Sequence, residues 1–119
     1  MERIVRDRSM HIYIVDVNRK FDNKPCPVLI LAKNGGNHLS IYNITSKNPY
    51  YKYNKSGYAY FSITEWKEAG LNKPSWIDTN TIYNIKTSDV ENGTFVGRLQ
   101  DLDQARLLRF LVKRHKLND

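Results

Sequence analysis

Two hydroxyls and an ammonium stand together at Thr45-Ser46-Lys47, where the apolar run Leu39 to Ile44 gives way to polar residues. A threonine hydroxyl donates a hydrogen bond to a phosphate oxygen, but it is a poor base unless something activates it. At a strand end it serves equally to cap its own backbone. Downstream, Tyr50, Tyr51 and Tyr53 alternate with Lys47, Lys52 and Lys55, a mixture suited to stacking unpaired bases and attracting their phosphates. The same tyrosines can instead pack against the body of the protein. His38 opens the Leu39 run, and an imidazole with an ordinary pKa of about 6.5 suits acid–base work. No partner for it is evident in the sequence. His11 lies in an alternating apolar segment, and His115 falls near the chain end. The single cysteine, Cys26, stands two residues after Lys24, and a nearby ammonium lowers a thiol pKa. A cysteine beside a β-type run is commonly a small buried hydrophobe, and no Cys-His or Ser-His-Asp pattern accompanies it.

These residues hang on a β-rich scaffold. Val28 to Ala32 and Leu39 to Ile44 are strand-like runs of Val, Ile, Leu and Tyr. Between them Lys33-Asn34-Gly35-Gly36-Asn37-His38 supplies the glycines and asparagines of a reversal, six residues long and of open turn type. Met10 to Val17 is an earlier strand and Asn18 to Lys24 a basic loop. Residues 47–57 are expected to be loop, followed by a strand over Tyr58 to Ser62. The spacing of Ser62-Ile63-Thr64-Glu65 predicts a capping box and a turn or two of helix ending at Gly70. Ser75 to Ile85 and Gly93 to Val96 return to β composition. A helix is expected from Gln100 or Asp101 to about Lys113, with acidic residues in its first turn and basic ones at its far end. Ala105, Leu107, Leu108, Leu111 and Val112 are expected to cover the sheet, with Arg106, Arg109, Lys113 and Lys116 on an adjacent stripe. The expected architecture is a mainly β, small barrel with a short helix and a C-terminal α-helix packed on it. Periodicity alone leaves SH3-like and OB-like connectivity open.

A chain of 119 residues has room for one core. We divide it into an N-terminal basic arm over 1–9, a single domain over 10–116 and a tail over 117–119. With 19 Lys+Arg against 12 Asp+Glu the net charge is +7, which suits a polyanionic partner without establishing one. One cysteine excludes an internal disulfide and a cysteine-based zinc site, and fits a reducing compartment. The charged start MERIVRDRSM has no apolar core of a signal peptide, and no apolar run is long enough for a membrane span. The expectation is a cytoplasmic protein.

The strand Pro27-Val28-Leu29-Ile30, its turn, and a second strand ending in Ile44-Thr45-Ser46-Lys47 resemble the MazF/PemK family of toxin endoribonucleases. His11 to Val17 is similar to the family's opening strand, and Asn18 to Lys24 to its variable first loop. Ser75 to Ile85 resembles the segment bearing the family's acidic-Gln pair. Val96-Gly97-Arg98-Leu99 resembles the Gly-x-Leu signature before the terminal helix. The resemblance spans roughly residues 10–112. It implies an SH3-like small β-barrel, a homodimer, and cleavage of single-stranded RNA without metal or other cofactor. It also implies a cognate antitoxin whose acidic tail lies in the RNA groove.

Two positions depart from the pattern. The family's Arg before the second-strand Pro is replaced by Cys26, and its acidic-Gln pair falls at Asn80 and Thr81. Carried over residue by residue, the resemblance makes Thr45 and Ser46 catalytic candidates. Lys24, or Arg19 and Lys20 of the loop, becomes the substitute cation, although lysine lacks the bidentate fork of arginine. Lys47, Tyr50, Tyr51, Lys52, His38 and Asn80 are the RNA-binding candidates. The alternative is a catalytically degenerate SH3-like module that binds nucleic acid or protein.

Overall fold

The computed structural model describes residues 8–16, 25–49 and 59–118, with side chains as far as residue 114. Within these residues lie β1 (His11–Val15), β2 (Cys26–Asn34), β3 (His38–Thr45), β4 (Tyr60–Ser62) and β5 (Trp76–Lys86). They are followed by the short helix α1 (Thr87–Glu91), β6 (Thr94–Arg98) and the long helix α2 (Asp101–Asn118). The six strands form one antiparallel sheet in the order β4-β5-β3-β2-β1-β6. The mainly β architecture with a C-terminal helix is therefore as expected. The ladder is an open sheet, because β4 and β6 do not pair to close a barrel.

β2 and β3 are buried on both faces, which explains their nearly continuous apolar character. On one face Ile12, Leu29, Tyr42, Ile44, Phe61 and Ile77 line up across the strands and are covered by Leu99 and Leu107. On the other, Val15, Val28, Ile30, Leu39, Ile41 and Ile85 pack with Val90 of α1. α1 has no counterpart among the sequence expectations, since Thr87–Glu91 is too short to show helical periodicity. The β2–β3 connection is tighter than expected. The strands continue to Asn34 and resume at His38, leaving a three-residue turn with Gly35 at φ 74°.

The segment 64–70 forms a turn in which the Ala69 N–H donates to the Glu65 carbonyl. It does not use the predicted capping box. Ser62 is still part of β4, opposite Trp76, and cannot fold back over the turn. The carboxylate of Asp103 accepts from the Thr64 and Glu65 N–H groups instead, at 3.2 and 2.8 Å. Asp103 is 0% exposed and also receives Arg106 Nη1 at 3.0 Å. A buried carboxylate on one element thus caps another 38 residues away in sequence. Arg106 additionally bonds the Thr64 hydroxyl and lies over the Phe61 ring.

The buried face of α2 differs from the one expected. Asp103, Leu107, Phe110, Leu111 and Arg114 point toward the sheet, whereas Leu102, Ala105, Leu108 and Val112 point away. Leu108 is 65% exposed and Leu107 2%. Leu107 and Leu111 are covered as expected, but Ala105, Leu108 and Val112 are not, because two polar residues, Asp103 and Arg114, turn inward to bond backbone groups. Just before the helix, Gly97 lies against the Ala69 carbonyl, and any Cβ there would be inside van der Waals contact. Gly70 approaches Val96 in the same way and has φ 97°. The Gly-x-Leu segment is therefore a close crossing of β6 and the 64–70 turn, with Leu99 fully buried behind it.

Candidate functional site

Three strand ends meet at one end of the sheet. Asn43 is flanked by Val28 of β2 and Asp78 of β5, and Thr45 lies opposite Trp76. Continuing the β2–β3 register by two residues sets Cys26, the first residue of β2, opposite Thr45. Alternation along the strands then puts Cys26, Asn43, Thr45 and Asp78 on one face. These four, with Lys47 and Lys73, line an open concavity.

Thr45 Oγ1 accepts the Lys47 N–H at 3.1 Å. This is the backbone-capping geometry, and it leaves the hydroxyl proton to donate elsewhere. Ser46 and Lys47 are exposed where the strand ends. Asn80 is tied to Asp78, with its N–H and Nδ2 donating to Asp78 Oδ1 at 3.0 and 2.9 Å. Both hydrogen bonds from Asn80 fall on Oδ1. Tyr60 lies opposite Asp78 in the ladder. Burial pushes its phenol above the ordinary value, the Asp78 charge pushes it further, and a hydrogen bond with Asn80 partly offsets both.

Thr45, Ser46 and Lys47 line this concavity together with His38, which stands at its far end, and Asn80 adjoins it through its hydrogen bonds to Asp78. His38 begins β3, opposite Asn34 and Lys86, about 23 Å from Thr45 at the rise of an extended strand. His11 is a packed residue, its ring edge-on to Phe95 at 5.5 Å. Lys24, Arg19, Lys20, Tyr50, Tyr51 and Lys52 lie outside the described residues.

Asp78 and Asn43 are the site residues that sequence reasoning missed. Asp78 was passed over in favour of Asn80 because a bulge separates them. Between the Asn43–Asp78 and Ile41–Tyr83 pairs, β5 contains Thr79 to Ile82 while β3 contains only Tyr42. Alternation cannot locate such an insertion. The available signal was the Asp-x-Asn spacing, which favours a side-chain-to-backbone turn.

Several comparisons bear on this arrangement. No curated protein matches the chain. The solved structure of Mycobacterium tuberculosis toxin MazF-mt6 is similar, with a TM-score of 0.65 at 19% sequence identity. The match covers 89% of this chain and 96% of that one. At this identity the likeness shows the fold alone. Residues 8–113 match the family model of the PemK-like, MazF-like toxin of type II toxin-antitoxin system. With most of its length accounted for by that model, from the arm before β1 to the last turns of α2, the chain belongs to the PemK-like, MazF-like toxin family.

Proposed function

We propose that this protein is an endoribonuclease toxin that cuts single-stranded RNA without a metal, acts as a cytoplasmic homodimer, and is neutralised by a cognate antitoxin. The observation that carries the reading is Thr45 and Asp78 on one sheet face, with Lys47 and Lys73 in the same concavity. In the reaction the RNA 2′-oxygen attacks phosphorus and the bond to the 5′-oxygen breaks. The products are a 2′,3′-cyclic phosphate and a free 5′-hydroxyl. A base takes the 2′ proton, an acid protonates the 5′-oxygen, and donors and cations hold the charge gathering on the phosphoryl oxygens.

Asp78 Oδ2 is the base in this assignment, because Asn80 occupies and orients Oδ1. The Thr45 hydroxyl donates to a phosphoryl oxygen, since its lone pair already takes the Lys47 amide. Lys24, or Arg19 and Lys20, stands in for the absent Arg beside Ser46 and Lys47. Tyr50, Tyr51 and Lys52 bind flanking nucleotides.

Cys26 favours a second reading, a module on the same scaffold that binds without cutting. The test is incubation of the purified protein with a long unstructured RNA in EDTA, with Cys26→Arg in parallel. Discrete cuts by the wild type support the nuclease, and Thr45→Ala should then lose at least about tenfold in rate with its fold intact. Cuts by Cys26→Arg alone support the degenerate module. Intact RNA with both proteins refutes the nuclease reading.

A further inference from the structure

The β5 bulge is braced from both faces of the sheet. On the site face Asn80 closes onto Asp78 Oδ1. On the opposite face Thr79 is buried, 4% exposed, and its hydroxyl and N–H both donate to the Ala59 carbonyl at 2.9 and 2.8 Å. The Thr79 N–H faces the β4 edge, and in an antiparallel strand its carbonyl faces the same edge, where β4 begins only at Tyr60 and leaves that carbonyl outside the ladder. Arg114, on the penultimate turn of α2, supplies a partner. Its Nη1 donates to the Thr79 carbonyl and contacts the Thr79 hydroxyl, each at 2.6 Å. Asp78 and Asn80 flank Thr79 in sequence, so whatever fixes the Thr79 peptide also fixes the two groups presented on the other face.

We infer that Arg114 is a positioning residue: from the C-terminal helix it locks the bulge that presents Asp78 and Asn80 to the candidate site. This assignment rests on the proposed role of Asp78 but makes a claim about backbone order that stands without it.

The test is amide hydrogen exchange of the full-length protein, comparing wild type with Arg114→Ala and with Arg109→Ala, whose side chain is exposed on the same helix. In Arg114→Ala the Thr79 and Asn80 amides should exchange at least about tenfold faster, while Ile12 and Leu29 amides keep their wild-type rates. Arg109→Ala should change neither set. Wild-type protection at Thr79 and Asn80, or an equal acceleration everywhere, would overturn the inference. If Arg114→Ala does not fold, Arg114→Gln, which keeps a shorter donor, is judged by the same criterion. Where the wild type cuts RNA, Arg114→Ala should lower kcat by about tenfold with KM nearly unchanged. Wild-type kcat in a variant with a loosened bulge would reject a catalytic contribution. An inactive wild type refutes the nuclease reading and leaves the exchange data to decide the positioning.

Discussion

Replacing Asp103 with alanine removes the acceptor for two backbone N–H groups and for Arg106 Nη1. A hydrogen bond to a charged group contributes about 1.5–3 kcal/mol, and loss of a helix cap costs about 1 kcal/mol. The sum is an upper bound, because Thr64 is exposed, Glu65 is half-buried and the Arg106 side chain is 43% exposed, so water replaces part of what is lost. With the ion pair discounted for that exposure, the expected loss is about 2–3 kcal/mol. For a domain of this size that lowers the thermal midpoint by about 8–12 °C. Urea unfolding followed by tryptophan fluorescence is a direct assay, since Trp66 sits in the capped turn and packs on the core. The midpoint should fall with an unchanged m-value. Asp101→Ala is the control: its carboxylate is 88% exposed and, among the described residues, pairs with the exposed Arg98, so the cost should stay below about 0.5 kcal/mol. An Asp103→Ala variant as stable as Asp101→Ala would refute the idea that this carboxylate joins the turn to the helix.

Three further outcomes are expected. Leu107→Ala should cost about 3 kcal/mol in denaturant unfolding, whereas Leu108→Ala should fall within about 0.5 kcal/mol of wild type. Equal costs would return the helix face to the one periodicity alone selects. Gly97→Ala should destabilise by about 3 kcal/mol, because the carbonyl it meets belongs to fixed backbone, while Gly36→Ala, with open space around it, should be nearly neutral by thermal melting. Burial raises the Tyr42 phenol above its model-compound value of 10.0, with the Arg114 charge partly opposing. A raised folded-state pKa means that stability is intact below pH 10 and is lost as pH climbs through the folded value. Tyr42→Phe should flatten that alkaline limb in stability measured from pH 8 to 11, and an unchanged slope would exclude Tyr42 as its source.

The strands and the terminal helix were legible because their signals are local. Val28 to Ile30 and Leu39 to Ile44 are apolar runs, and Asp101 with Asp103 marks a helix start. What stayed hidden depends on contacts between distant residues. Asp103 sides with the core because its partners are Thr64 and Glu65, and nothing around residue 103 announces them. The irregular register between β3 and β5 hides which residues of the two strands adjoin, so Asp78 was overlooked beside Asn80. Thr45 and Cys26 could be placed at adjoining strand ends from the sequence because a strand end and an order of motifs survive in one dimension.

The clusters on the two faces of the sheet have a consequence for how such a protein can be screened. Asn43, Thr45, Asp78 and Asn80 all lie outside both clusters, at strand ends or in a bulge. Substitutions there should barely alter expression, solubility or melting, so a library sorted for folded protein would treat those positions as silent. If the proposed activity holds, selection on growth of the producing cell would register them. Comparing the two maps position by position would outline the working surface without any prior choice of residues.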